Sequence, residues 1–165
     1  MMPNQTLSDD DIKTLLDNIN VGTISTIGQD GMPYGTPVNF VTVDGSIAFH
    51  GGQKGEKLGN LRRDPRCCFT VTWSIGYERT GDAGCNTTAL YQSVIIRGRA
   101  VEILDPEKKM RILRSLVDKI TPERRDDPID PAMVDRTTVF VIEAEYVTGK
   151  HRMHNPQNIT YVQPQ

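Results

Sequence analysis

At 165 residues the chain fits one domain, long enough to bury a core without disulfide or metal staples. An apolar share of 37%, with 14 glycines and 10 prolines, speaks for a turn-rich, strand-rich fold and against a helical bundle. A net charge of −2 lacks the basic excess of a sequence-independent nucleic-acid binder, and no apolar run nears the roughly 20 residues that span a bilayer.

The first predicted element is a helix. Ser8 is its N-cap, Asp9, Asp10 and Asp11 sit where the helix dipole favours carboxylates, and Leu7 staples onto Ile12. Ile12, Leu15, Leu16 and Ile19 form the apolar stripe, and the helix ends near Asn20. The pattern then changes to strands: Val21 to Ile27, Tyr34 to Val43, and Ser46 to His50 after an Asp44-Gly45 hairpin turn. A glycine-rich break and a short helix from Glu56 to Arg62 precede a fourth strand from Arg66 to Trp73. Ser74 to Ala89 reads as a long loop. Tyr91 to Leu104 is a fifth strand, with Gly98 as a bend or close-approach point. Asp105 and Pro106 open a second long helix marked by Met110, Leu113, Leu116, Val117 and Ile120. Thr121 to Arg136 is polar and proline-broken, Thr138 to Val147 is the sixth strand, and a polar tail follows Thr148. Successive hairpins with one crossover helix predict a mainly β, α+β fold: a six-stranded antiparallel barrel with flanking helices in a single domain.

The richest chemistry lies between Phe49 and Lys57. A strand runs into Gly51, Gly52 and Gly55 with Lys54 and Lys57, and a helix starts directly after. Unpaired amides at a helix start bind phosphate, glycine lets the backbone approach, and lysine adds charge. The same residues also read as a plain glycine-rich connection with solvated lysines. Neither a Walker A loop nor a GxGxxG motif is present. His50 suits general acid-base chemistry, or a structural, pocket-lining place at a strand end. His151 and His154 form an HxxH in the tail without the further ligands that zinc requires, so no metal site is expected. Asp126, Asp127, Asp130 and Asp135 lack EF-hand spacing and read as a solvated loop. Cys67, Cys68 and Cys85 read as small buried hydrophobes in a reducing compartment. With no signal-like N-terminal pattern, a cytoplasmic location is expected. A phosphate-sized site without a catalytic carboxylate pair or nucleophile suits a protein whose cofactor carries the chemistry.

In order and spacing, several segments resemble the FMN-binding split-barrel family related to pyridoxamine-phosphate oxidase, and within it the nitroimidazole-resistance branch. They are Val21 to Thr26, Asp30 to Phe40, Ile47 to Gly51, Lys54 to Leu58, Asn60 to Arg66, Tyr91 to Ala100, and Thr148 to Lys150, covering about residues 8 to 150. The resemblance implies FMN, with Thr36, Pro37, Val38 and Asn39 along the flavin ring. It places Phe49, His50 and Gly51 at the ring and ribityl chain, and Lys54, Gly55 and Lys57 at the phosphate. Tyr91 and Ser93 would reach the flavin from the partner subunit of a homodimer. His50 matches a proposed functional residue, and the activity implied is reduction of small molecules, nitroaromatics among them. Glu56 stands where the related oxidases carry arginine, which shifts the phosphate charge onto the two lysines. Tyr77 and Cys85 would line a substrate pocket, and no Arg-x-His pair for vitamin B6 is evident. A non-enzymatic FMN or haem module, with His50 as the axial ligand inside the barrel, and a deazaflavin reductase stand as alternatives.

Overall fold

The computed structural model describes residues 5–79 and 81–153. Seven strands form one antiparallel sheet: β1 (Gln5–Thr6), β2 (Val21–Ile27), β3 (Pro33–Val43), β4 (Ser46–Gly51), β5 (Arg66–Arg79), β6 (Thr87–Glu102) and β7 (Thr138–Arg152). Their order is β1-β7-β4-β3-β2-β5-β6, and β6 also pairs with β7. Six long strands therefore close a barrel, as the hairpin pattern predicts, and β1 adds a short seventh beside β7. Closure removes most of the unpaired edges that an open antiparallel sheet would expose.

Four helices flank it: α1 (Asp9–Asn18), α2 (Glu56–Arg63), α3 (Pro106–Ile120) and α4 (Pro131–Asp135). Ser8 and Asp11 form a capping box at the start of α1, where Ser8 Oγ accepts from the Asp11 amide at 3.1 Å. Leu7 and Ile12 both crowd against Gly149 of β7, so the stapled end of α1 is seated on the barrel. Asp105 caps α3 through the Lys108 amide, with Pro106 at its first position. None of these helices is long and apolar enough to cross a membrane.

The core has two layers. Inside the barrel, Ile24, Phe40, Phe49, Phe69, Val71, Val94 and Ile142 are almost fully buried, with Leu15 and Leu16 of α1 packed onto them. Outside it, Val41, Ala48 and Val139 pack beneath Ile112 and Leu116 of α3. Lys119 joins the two layers: its ammonium lies 3.9 Å from the Phe40 ring centroid and donates to the Leu16 carbonyl at 2.7 Å. Burial lowers its pKa to about 8.

Three expectations need correction. Ser74 to Ala89 is not a long loop: β5 continues to Arg79 and β6 begins at Thr87, with a bulge between Ser74 and Gly76. Pairs such as Tyr77 with Ala89 carry the ladder across the break that glycine suggests. The last strand runs on to Arg152, so His151 lies on β7 and is 3% exposed, whereas His154 falls outside the described residues. Cys85 is exposed between β5 and β6, unlike buried Cys67, whose thiol burial pushes up to about 11. The expected close approach at Gly98 is real, since a Cβ there would collide with the Glu143 carbonyl oxygen at the β6–β7 register shift.

Candidate functional site

The barrel is split between β3 and β4. Their pairing stops at Phe40 with Phe49, and the register, if continued, would set Asn39 opposite His50. Among the described residues, Pro33 to Asn39 therefore pair with β2 alone, and their other edge has no strand partner. Thr36, Pro37, Val38 and Asn39 all lie on this free edge, which offers backbone donors and acceptors to a flat heterocycle. Val38 is buried, Pro37 and Asn39 are exposed, and the Thr36 hydroxyl is buried without a hydrogen-bond partner.

Across the gap, β4 delivers Phe49 inward at 0% exposure and His50 outward to solvent. His50 thus points out of the barrel, not into the interior where the haem alternative places it. Protein packed about the imidazole desolvates it, and the Lys57 charge adds repulsion, so its pKa falls below the ordinary value near 6.5. The ring is therefore neutral at neutral pH and can donate from one nitrogen and accept at the other.

The loop after β4 is held by a residue that composition does not single out. Thr138 Oγ1 donates towards the carbonyls of Gly51 at 3.0 Å and Gly52 at 3.2 Å. Thr138 is 87 residues from Gly51 in sequence, and only the β4–β7 register brings them together. Gly55 then precedes α2 with φ of 123°, a conformation other residues rarely adopt, and gives the helix no side-chain cap. The first amides of α2 are left without a capping acceptor.

Lys57, on the first turn of α2, turns back over this loop. Its ammonium lies 5.4 Å from the Phe49 ring centroid and beside Gly51. It is half-buried, has no carboxylate or hydrogen-bond partner among the described residues, and burial lowers its pKa. Lys54 and Glu56 are exposed. The two lysines expected at the phosphate thus differ: Lys57 is fixed beside the uncapped helix end, and Lys54 is a solvated charge near it.

Helix α2 is locked in place by a buried polar link. Asn60, 2% exposed, donates to Thr26 Oγ1 at 3.1 Å, and Thr26 in turn donates to the Tyr34 carbonyl at 3.3 Å. Asn60 also accepts from Arg63 at 3.2 Å. The helix end that faces the loop is therefore referenced to the β2–β3 hairpin that bears Thr36 to Asn39.

Tyr91 and Ser93 do not join these residues within one chain. They face outward on β6, on a sheet face whose cross-strand rows run Pro37–Thr23–Thr70–Ile95–Thr148 and Gly35–Ser25–Cys68–Arg97–Tyr146. These rows are mostly small or β-branched and exposed or half-buried, with Ile95 at 40% exposure. A groove of about 730 Å³ lies at one end of this face, lined by Ser25, Pro33, Cys68, Arg97 and Tyr146. None of the predicted cofactor residues lines it.

The residues present suit a phosphate-bearing ring cofactor. Among the described residues, a helix start without a side-chain cap, a half-buried lysine without a counter-ion and a strand edge without a partner occur at the split in the barrel.

The sequence matches the family described as pyridoxamine 5'-phosphate oxidase over residues 8–151. No curated protein matches it. Among solved structures, the chain is similar to a candidate 5-nitroimidazole antibiotic resistance protein from Bacteroides thetaiotaomicron. That match has 22% identity and a TM-score of 0.73, covering 91% of this chain and 89% of that one. It is also similar to the FAD and heme binding protein from Mycobacterium smegmatis, at 22% identity and a TM-score of 0.78, covering 90% of this chain and 72% of the other. The flavocytochrome Anf3 from Azotobacter vinelandii matches at 23% identity and a TM-score of 0.78, over 91% and 69% of the two chains. At these identities the likeness bears on the fold, and the split barrel is common to them.

Proposed function

The chain belongs to the pyridoxamine 5'-phosphate oxidase family, and from that premise we propose that it is an FMN-binding reductase of small molecules that works as a homodimer. The observation that carries this reading is the unpaired, half-buried Lys57 beside the uncapped start of α2, directly below the split between β3 and β4. A phosphate monoester there would receive backbone amides from α2, the Lys57 charge and the solvated charge of Lys54. Thr36 to Asn39 would hold the ring edge through the free backbone of β3, and Phe49, His50 and Gly51 would flank the ring and ribityl chain.

When bound, the flavin supplies hydride or electron transfer, which no side chain here can provide. The chain's own part is to hold, orient and shield. His50, neutral at neutral pH and exposed at the end of β4, would position a substrate by hydrogen bonding or hand it a proton. Nitroaromatic compounds are the first substrates to test, because the Bacteroides protein similar to this chain is described by resistance to 5-nitroimidazoles. The exposed and half-buried outward rows of β2, β5, β6 and β7 support the dimer: such a face is suited to a second copy, which would bring Tyr91 and Ser93 of the partner subunit to the flavin.

The purified protein should be yellow and should release FMN on denaturation. Colourless protein that gains no flavin absorbance when FMN is added would overturn the reading, and competition with a deazaflavin would fix the cofactor. Anaerobic reduction of the loaded protein by NADH or NADPH, followed by reoxidation with nitro compounds and quinones, tests turnover. Unchanged turnover in a flavin-loaded His50→Ala protein would remove His50 from the chemistry.

A further inference from the structure

The groove at the end of the outward face is shaped by a register shift. Arg97 pairs with Tyr146, Gly98 with Ala144 and Arg99 with Glu143, so Glu145 has no counterpart on β6. Such a bulge bends its strand and re-aims the side chains beside it. The sequence keeps room for it, because any side chain at Gly98 would run into the Glu143 carbonyl. Ile27 and Pro33, the last pair of the β2–β3 ladder, form one wall of the groove, and Arg97 and Tyr146 form the other. Cys68 of β5 and Gly98 of β6 lie between them. At about 730 Å³ the groove has the size of a small-molecule site, which runs from roughly 300 to 1,000 Å³.

Arg97 is set for an anion. Its guanidinium lies over the Tyr146 ring, 4.6 Å from the centroid, and among the described residues its side chain has no ion pair or hydrogen bond. Glu145 lines the same groove without bonding to it. Arg66, also on the groove, is already taken up by Asp64 at 2.6 Å. Stacking orients the Arg97 fork without using its donors, so its edge stays open to two carboxylate oxygens. Ser25, half-buried on the β2 wall, adds a hydroxyl with no hydrogen bond among the described residues. Opposite the stack, Ile27 and Pro33 offer apolar surface to a ring. One uncommitted guanidinium with Glu145 beside it suits a single negative charge better than a dianion such as phosphate.

We propose that this groove is a separate ligand site that binds a small planar aromatic carboxylate, with the acid group forked on Arg97 and the ring between Tyr146 and the Pro33 wall. All of its walls come from one chain, so the site needs neither the flavin nor a second copy. It shares no residue with the groups assigned to FMN. The bulge then has a purpose, since it is the device that sets Arg97 and Tyr146 together on the outer surface of the barrel.

Calorimetric titration of the purified protein with benzoate, benzamide and inorganic phosphate tests the site. Benzoate should bind once per chain. Benzamide, which has the ring without the charge, and phosphate, which has the charge without the ring, should each bind about tenfold more weakly or worse. Arg97→Ala should lower benzoate affinity by about tenfold or more, and Arg97→Lys should restore little of it, since lysine lacks the planar fork. Both variants should keep the melting temperature, because Arg97 is exposed. Benzoate held no better than benzamide or phosphate would mark an adventitious ion only, and affinity unchanged in Arg97→Ala would place the ligand elsewhere; either overturns the proposal. Displacement of benzoate by FMN overturns it as well, by merging the groove with the cofactor site. Binding confined to an Ile95→Glu protein, in which the proposed dimer face carries a carboxylate, would show that a second copy fills the groove, and it too overturns the proposal. Benzoate binding through Arg97 in a protein that takes up no FMN would leave this site standing while the cofactor reading alone fails.

Discussion

At the scale of single residues, the phosphate loop is legible in sequence, but the division of labour within it is not. Gly51 to Lys57 announces an anion site by its glycines and lysines before a helix. Nothing in that order says that Lys57 folds back over Phe49 and Gly51 while Lys54 stays in solvent. A charge-assisted contact is worth about 1.5–3 kcal/mol, so Lys57→Ala should weaken FMN binding by about 10- to 100-fold. An exposed lysine contributes up to about 1 kcal/mol, so Lys54→Ala should cost less than about fivefold. Titration of apoprotein with FMN, followed by flavin fluorescence, separates the two, and equal losses would contradict the asymmetry. His50 gives a second prediction at this scale. Its folded-state pKa lies below the unfolded value near 6.5, because the protein desolvates the ring and Lys57 repels its charged form. Within that window the unfolded chain takes up a proton that the folded chain resists, so stability is whole above it and lost as pH falls through it. Urea midpoints measured from about pH 7 to about pH 5 should decline in the apoprotein, and His50→Gln should remove part of that decline. Parallel curves for the two proteins would show that His50 is not part of it.

At the scale of elements, local signals place α1, α3 and the turn at Asp44-Gly45 well, because caps and turn residues act within a few positions. What the local order hides is long-range. Gly81 and Gly84 do lie in a turn between β5 and β6, yet cross-strand pairing holds Gly76, Tyr77 and Arg79, which read as the same loop, in a ladder. His151 reads as tail and is held at 3% exposure by β6 and β1 on either side of it. Thr138 and Asn60 read as a strand start and a helix polar residue, and their partners lie 87 and 34 residues away. These two are the supports of the site, and they predict different losses. Asn60→Ala strips a buried link between α2 and the β2–β3 hairpin, so about 1–3 kcal/mol of global stability should go, with FMN affinity falling alongside it. Thr138→Val keeps the volume and removes only the hydroxyl that holds Gly51 and Gly52. Its effect on stability should stay near 1 kcal/mol, while the FMN dissociation constant rises about five- to tenfold. Urea denaturation set beside FMN titration distinguishes a lost scaffold from a loosened loop; a Thr138→Val protein that binds FMN as well as the wild type would show that the loop keeps its shape without the hydroxyl.

At the scale of the whole molecule, the barrel sorts its surface into two kinds. One outer region, over β3, β4 and the start of β7, is covered by α3 through Ile112 and Leu116. The other, over β2, β5, β6 and the end of β7, is left to exposed and half-buried Thr23, Thr70, Ile95 and Thr148. The predicted cofactor residues fall on both sides of this division, with Asn39 and His50 near the edge of the α3 cover and Ser93 on the uncovered rows. A site assembled from one chain would use the first group alone; a site shared by two copies uses both. Ile95→Glu separates these cases, because Ile95 touches none of the loop, helix or strand-edge groups assigned to the phosphate and ring. A carboxylate buried without a partner in the proposed contact costs several kcal/mol, enough to shift a dimer to monomer at micromolar concentration. Because Ile95 is 40% exposed within the chain, the same substitution should leave the barrel folded. Sedimentation of Ile95→Glu should therefore give a folded monomer, and its FMN should be lost or bound at least tenfold more weakly although Lys57, Thr138 and α2 are untouched. A monomer that keeps wild-type FMN affinity would mean that one chain holds the whole cofactor site and that the partner contributes nothing to it.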